Sequence, residues 1–186
     1  ALHPSVADYA AELGQAETAA RRLVDWAASL PSARSGDLPA LAADETNALT
    51  ALRLAHESGI GDELLRVLDA WFGYFEAAGR VDALLDSLDR AVDFSRASAA
   101  EDVQRRALTH RARARFLHGD YEAASEDAEA GLALAEAAGD RPGECACLKM
   151  LALSAQARGN TENARRFAER GIAAAAGAGL VRERAE

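Results

Sequence analysis

Small and apolar residues recur along the chain at a fixed step of 40 residues. The step is found in two series, namely the pairs Ala51-Leu52, Ala91-Val92, Gly131-Leu132 and Gly171-Ile172 and the single glycines Gly79, Gly119 and Gly159. Each of these glycines lies twelve residues before one of the pairs, where it can end one helix and turn the chain into the next. A period of this length with a glycine turn in every copy predicts stacked helical hairpins that bury their apolar faces against neighbouring copies.

The copy over residues 105–138 shows the pattern most clearly. Leu108, Ala112 and Phe116 are spaced by four residues and predict one apolar face of a first helix. Gly119 should end that helix in a left-handed conformation, and Asp120 should cap the start of the next helix. Equivalent turns are expected in the copies before and after it, at Gly79-Arg80 and Gly159-Asn160.

Two local features add to this prediction. Ser98 followed by Glu101 fits a capping box, in which the serine would begin the first helix of a copy. The small residues Ala91, Gly131 and Gly171 lie where the two helices of a hairpin would approach each other most closely. Both features agree with paired helices of constant length.

The two ends of the chain fit the period less well. Residues 38–58 predict the second helix of a further hairpin, whereas residues 31–36 predict a loop where the period expects helix. Residues 4–30 are expected to form one long helix or two helices broken near Gly14. We therefore divide the chain into an irregular helical segment over residues 1–37 that packs as half a hairpin, a repeat array over 38–180, and the start of a truncated further helix over 181–186.

The composition favours an all-α protein. Alanine, the strongest helix former, supplies 47 of the 186 residues. The formal net charge of -9 argues against direct nucleic-acid binding, which needs a basic surface. No signal peptide and no apolar run of transmembrane length occurs, so we expect a cytoplasmic location and no membrane contact. Because the only methionine is Met150, we expect the chain to be part of a longer protein.

The repeats resemble the tetratricopeptide repeat over about residues 62–180. The resemblance is strongest at Gly119-Asp120-Tyr121 and extends to the small and apolar residues at helical spacing on either side. The period exceeds the usual 34 residues by six, which implies longer helices or longer links, and Arg115 and Ala155 occupy sites where an aromatic residue is usual. The resemblance implies an all-α, right-handed superhelix of about four helical hairpins with a concave groove.

A second resemblance covers residues 44–59. The stretch Asp44-Glu45-Thr46-Asn47-Ala48-Leu49-Thr50-Ala51-Leu52, followed by Ala55-His56-Glu57-Ser58-Gly59, is similar to the segment that opens the helical array of large bacterial transcriptional regulators. Those regulators carry a nucleotide-binding switch ATPase upstream of the array and a DNA-binding domain at one end, and His56 lies near their usual tryptophan. The resemblance implies a sensor or interaction arm that detects an inducer or a protein partner.

The sequence shows no catalytic constellation. It contains no phosphate-binding loop of the form G-x-x-x-x-G-K-[ST], no G-x-G-x-x-G and no H-E-x-x-H. The four histidines have no metal-ligand spacing. Cys145 and Cys147 would point about 200° apart on a helix and cannot bridge each other, so we interpret them as small buried or half-buried thiols. We therefore expect no enzyme activity, no cofactor and no metal site.

The resemblance to tetratricopeptide repeats also implies a ligand site, because five positions of each first helix line the inner groove of such stacks. The groove positions that carry ligand chemistry in this chain are Arg66, Asp69, Arg106, Thr109, His110, Arg113, Phe116, Lys149, Met150 and Gln156. An acidic protein with a locally basic, partly apolar groove suits an acidic peptide or a carboxylate ligand, since arginine offers bidentate contacts. The alternative is that these long arginines merely cover helix surface.

We expect a non-catalytic module that binds a protein, a peptide or a small anionic inducer in its groove. Its expected context is a cytoplasmic transcriptional regulator. Three alternatives stay open, namely a free-standing adaptor or peptide-pheromone sensor, a surface through which the array ends form a homodimer, and an enzyme with a carboxylate or histidine site in the groove. The sequence does not fix the ligand, the direction of regulation or the presence of an attached ATPase.

Overall fold

A computed structural model describes residues 16–33, 37–57 and 61–177, and this part of the chain consists of α-helices joined by short turns. Its nine helices are α1 (Ala16–Ala33), α2 (Leu38–Ala42), α3 (Glu45–Glu57), α4 (Gly61–Ala77), α5 (Asp82–Ser98), α6 (Glu101–His118), α7 (Tyr121–Ala138), α8 (Arg141–Ala157) and α9 (Thr161–Gly177). No strand occurs among these residues, which confirms the prediction of an all-α fold. The predicted further helix at 181–186 and the start of the predicted N-terminal helix lie outside the described residues.

The chain divides into two compact units, Ala1–Ser98 and Ala99–Glu186. In the first unit α1 packs against α3 and α4, and α5 packs against the same two helices. Its largest buried side chains belong to α4, where Trp71 and Phe75 are fully buried and Tyr74 packs edge-on against both rings. Aromatic rings bury more apolar surface than any other side chain, so α4 dominates the core of this unit.

The end of α1 differs from the loop predicted for residues 31–36. The helix continues through Pro31 to Ala33, and residues 34–36 lie outside the described part. Pro31 has no N–H, so the carbonyl of Ala27, four residues earlier, loses its usual helical donor. The indole N–H of Trp71 donates to that carbonyl instead, at 2.8 Å. A hydrogen bond from α4 therefore allows α1 to contain a proline that the sequence pattern reads as a break.

The sequence predicts one helix over residues 38–58, but the structure contains two. Asp37 caps α2, because its carboxylate accepts from the backbone N–H of Ala40 at 3.0 Å. Asp44 then precedes α3 and accepts from the side-chain amide of Asn47 at 3.2 Å. Aspartate favours helix starts, and two aspartates therefore divide the segment into a short helix and a longer one.

In the second unit the four helices α6 to α9 pack in sequence order, and α6 also packs against α8. Only two residues, Gly119-Asp120, separate α6 from α7, and only two, Gly139-Asp140, separate α7 from α8. Each of α6 and α7 contains 18 residues. The long period therefore comes from long helices and not from long links.

The predicted glycine turns are confirmed. Gly79, Gly119 and Gly159 have φ angles of 67°, 98° and 78°, in the left-handed region that glycine enters without strain. Asp120 caps α7 by accepting from the backbone N–H of Ala123 at 3.1 Å. The predicted capping box is wrong, because Ser98 is the last residue of α5 and its hydroxyl donates to the carbonyl of Phe94 at 2.8 Å. Small local motifs thus fixed some helix ends and misplaced another.

The small residue on α7 lies between two helices. A Cβ atom at Gly131 would lie 3.6 Å from Cβ of Leu108 on α6 and 3.1 Å from Sγ of Cys147 on α8. Gly131 therefore allows the close approach of its hairpin partner, as predicted, and also that of the first helix of the next copy. A larger side chain would separate α7 from α8.

Candidate functional site

The predicted groove residues of the first unit are Arg66 and Asp69 on α4, and both are exposed. The guanidinium of Arg66 lies 2.9 Å from the carboxylate of Asp25 on α1, and both side chains are more than half exposed. An exposed ion pair of this kind contributes little to stability and is screened by salt. Asp25 nevertheless offsets the charge of Arg66, so this unit presents no strongly basic patch at these positions.

In the second unit the predicted residues lie on α6 and α8, two helices that pack against each other. Arg106, His110 and Arg113 share one face of α6, since they are spaced by four and three residues. Arg113 is exposed, whereas Arg106 and His110 are half-buried. On α8, Lys149 and Gln156 are exposed. We call Arg106, His110, Arg113 and Lys149 the basic stripe.

The other three predicted residues of this unit face its interior. The hydroxyl of Thr109 donates to the carbonyl of Arg105 at 2.9 Å and lies 3.5 Å from Sγ of Cys147. Phe116 packs against the hydrophobic core and against the ring of Tyr121, with ring centroids 5.4 Å apart. Met150 is itself a core residue and is only 7% exposed. Their side chains serve packing, and the stripe is polar where it reaches the surface.

The neighbouring arginines of α6 are held by carboxylates of the same unit. Arg105 forms ion pairs with Asp102 and with Asp140, the residue before α8. Arg111 binds the buried carboxylate of Asp127 in bidentate fashion, at 2.7 and 2.8 Å, and Arg115 lies 2.9 Å from the same carboxylate. A buried carboxylate that binds two arginines satisfies its charge within the fold. We therefore assign these residues a structural role.

Sequence reasoning missed this buried network. Arg111 occupies the position that Trp71 and Leu151 fill one period earlier and later, both of which are buried. An arginine at an apolar position of the repeat is the signal that could have revealed it. The network also explains Arg115, which replaces the usual aromatic residue and pairs with Asp127 instead.

The regulator-like segment likewise has structural roles. Glu45 of α3 is buried and accepts from the hydroxyl of Tyr74 at 2.9 Å and from the guanidinium of Arg80 at 2.8 Å. Burial, together with the hydrogen bond and the negative charge of Glu45, raises the pKa of Tyr74 above its usual value of 10.0. Glu45 therefore joins α3 to α4 and to the turn that follows α4.

A second surface feature of this unit is a cleft of about 310 Å³ between the end of α7, the start of α8 and α9. Leu148 and Ala174 form its apolar part, and it is lined by two ion pairs. Arg170 lies 3.0 Å from Glu136, and Arg141 lies 2.7 Å from Glu144. The sequence analysis did not find this cleft, because its residues come from three helices. The paired charges balance each other, so the cleft favours neither anions nor cations.

Metal and thiol chemistry have little support in the part of the chain that the structure describes. No group of three or more His, Cys, Asp and Glu residues there could hold a metal ion. Cys145 and Cys147 are free thiols, half-buried and buried. Burial raises the pKa of the Cys147 thiol, and the hydrogen bond from Thr109 opposes this only in part, so the thiol stays protonated at neutral pH. None of the described helices is long and apolar enough to span a membrane.

Comparison with known proteins assigns no family, because neither a protein-family model nor a curated protein matches the chain.

Proposed function

We propose that this chain is a non-catalytic binding module, similar to tetratricopeptide hairpins, whose basic stripe binds an acidic peptide segment or a small carboxylate ligand. The observation that carries the proposal is the exposure of Arg113 and Lys149 on neighbouring helices of a protein with a net charge of -9. A local positive patch on an acidic protein attracts anions selectively, since the rest of the surface repels them.

The arrangement of arginines on α6 supports this proposal. Arg105, Arg111 and Arg115 are paired with Asp140, Asp102 and Asp127 inside the unit. Arg106 and Arg113 lie on a different face of the helix, and the nearest printed carboxylate for Arg106 is Asp102 at 4.0 Å. Guanidinium groups suit carboxylates because they can donate two parallel hydrogen bonds. The stripe can therefore bind one or two carboxylates without dismantling the internal ion pairs.

The wider context that we propose is the sensor or interaction arm of a cytoplasmic transcriptional regulator. It is supported by the similarity of residues 44–59 to the segment that opens the helical array of such regulators. The structural roles of Glu45, Asp44 and Asn47 mean that this segment supports the fold and does not itself provide a ligand site. A nucleotide-binding loop in the same reading frame would support this context, and its absence would favour a free-standing adaptor.

The proposal is tested with a fluorescein-labelled octapeptide of alternating Asp and Glu. Wild-type protein should raise its fluorescence anisotropy in a saturable manner at low ionic strength. The double variant Arg106→Glu/Arg113→Glu should bind about 30-fold more weakly, because it reverses two charges in the stripe. Circular dichroism should show unchanged helicity, since the core does not contain either side chain.

A matched control reverses two exposed arginines elsewhere, Arg90→Glu on α5 and Arg165→Glu on α9. This variant has the same net charge as the test variant, so any difference reports position and not total charge. It should bind the peptide within about threefold of wild type, since distant exposed charges are largely screened. Equal losses in the two double variants would show that binding depends on net charge alone and would refute the stripe as a site.

A further inference from the structure

The outer face of α9 repeats the pattern by which α7 is packed, yet it is open. The positions on α7 are all buried, namely Ala124, Ala128, Gly131, Leu132 and Ala135. The positions 40 residues later are half-buried or exposed, namely Ala164, Ala168, Gly171, Ile172 and Ala175. The contrast is largest at Ile172, which is 69% exposed where Leu132 is 7% exposed. The sequence of α9 is therefore that of a helix covered on two sides.

The two glycines show which neighbour differs. At Gly131 a Cβ would meet Leu108 of α6 and Cys147 of α8. At Gly171 a Cβ would lie 3.5 Å from Cβ of Leu148, the equivalent of Leu108, and Leu148 is the sole neighbour within 4 Å among the described residues. Within the described residues, α9 thus has the hairpin partner but not the second neighbour that α8 provides for α7.

The way α8 covers α7 defines what would fit on α9. Cys147 lies against Gly131, and Leu148 and Leu151 belong to the same hydrophobic cluster as Ala128 and Leu132. An equivalent helix for α9 needs a small residue to lie over Gly171. It also needs aliphatic residues one and four positions later, which would cover Ile172.

Net charge narrows the choice further. The sequence of α7 contains five acidic and no basic residues, and α8, which covers it, contains Arg141, Lys149 and Glu144. The sequence of α9 contains three arginines and two glutamates, for a net charge of +1. Complementary charges favour association and opposing ones disfavour it. The helix that matches α9 is therefore acidic, unlike α8.

A second copy of this chain cannot supply such a helix from its described residues. The equivalent residues of α4, α6 and α8 are buried within their own units, namely Val67, Leu68, Trp71, Ala107, Leu108, Cys147, Leu148 and Leu151. We therefore propose that the open face of α9 docks an acidic amphipathic helix of a partner protein, with a small residue and two aliphatic residues in the spacing of Cys147, Leu148 and Leu151. This inference is independent of the basic stripe.

The probe for this proposal is a fluorescein-labelled peptide with the sequence of α8, Arg141–Ala157, carrying Lys149→Glu to make it acidic. The wild-type chain should bind it saturably, as measured by fluorescence anisotropy. Ile172→Asp in the chain should weaken binding at least tenfold while leaving helicity and melting temperature unchanged, because Ile172 is already 69% exposed. The same peptide with Leu148→Asp should not bind.

Leu117→Asp on α6 is the matched control, since Leu117 is also an exposed aliphatic residue, at 42%. It should bind the peptide as wild type does, and so should Arg106→Glu/Arg113→Glu, which separates this surface from the basic stripe. Absence of peptide binding, or equal binding by Ile172→Asp and wild type, would overturn the proposal. So would a dimer in sedimentation equilibrium that Ile172→Asp dissociates, because a second copy would then be the occupant.

Discussion

Ala99 is strained in a way that its equivalent one period later is not. Ala99 has a φ of 53° and Gly139 a φ of 68°, so both adopt the left-handed conformation in the turn before a first helix. That conformation costs a residue with a Cβ about 1–2 kcal/mol, whereas glycine enters it freely. Glycine loses more conformational entropy on folding, which offsets about half of this difference.

We therefore expect Ala99→Gly to stabilise the protein by about 0.5–1 kcal/mol in urea denaturation. Gly139→Ala is the reciprocal variant and should destabilise it by about the same amount. Neither side is crowded by neighbours at Gly139, where a Cβ would meet nothing within 4 Å, so the effect reports the backbone. A destabilising Ala99→Gly would show that φ at this position is not positive.

Tyr74 makes stability depend on pH at the alkaline end. Its folded-state pKa is raised above 10.0, mainly by burial and then by Glu45, so the folded chain holds the phenolic proton more tightly than the unfolded chain. The stabilisation is fully present below pH 10.0 and is lost as the pH rises through the folded-state pKa. Tyr74→Phe should be less stable at neutral pH but should show a shallower decline in the free energy of unfolding above pH 10.0. Parallel declines would contradict the raised pKa.

Some single residues were predictable and others were not, for a physical reason. Gly119 and Asp120 act through the backbone of their own turn, so sequence alone reveals them. Ala99 carries no mark of its conformation, because alanine is typical of helices. Arg111 gains its meaning only from Asp127, sixteen residues away on another helix. Local chemistry is legible in the sequence, whereas long-range pairing has to be seen.

The helix α1 depends on a hydrogen bond from α4. Trp71 donates to the carbonyl that Pro31 leaves without a helical donor, and Trp71 is fully buried. Trp71→Phe should therefore destabilise the chain by about 3 kcal/mol, from an unpaired buried carbonyl and a smaller ring. Pro31→Ala restores an N–H that can reach the carbonyl of Ala27.

The two substitutions should consequently be coupled in a double-mutant cycle. In the Pro31→Ala background, Trp71→Phe should cost about 1 kcal/mol less than in the wild-type background, as measured by urea denaturation. Strictly additive costs would show that the indole hydrogen bond and the proline are unrelated. The same coupling explains why residues 31–33 were predicted as a loop, since their helical partner lies 44 residues away in the sequence.

The repeat period predicted the order and length of most helices in the chain. It did so because each helix of a hairpin meets its neighbours at equivalent positions, so composition recurs wherever packing recurs. The period failed at residues 38–58, where Asp37 and Asp44 provide two helix starts in place of one. Two acceptor side chains thus outweighed a continuous helical pattern.

The whole molecule combines an acidic surface with a basic stripe in its second unit. The repeat pattern predicted which helix face would carry the stripe, and Arg113, Lys149 and Gln156 are exposed there. It could not predict depth, because burial depends on which neighbouring helices cover each position. Met150 is a core residue for that reason, and the cleft between α7, α8 and α9 arises from helix ends that no repeat position describes.

The most direct measurement is a map of peptide contacts by nuclear magnetic resonance. The acidic octapeptide is added to the uniformly nitrogen-15-labelled chain, and backbone amide shifts are followed at low salt. Binding at the stripe predicts the largest shifts on α6 around His110 and Arg113 and on α8 around Lys149, and their loss in Arg106→Glu/Arg113→Glu. Shifts concentrated on α9 or in the cleft near Arg141 and Arg170, or shifts that persist in the variant, would contradict it.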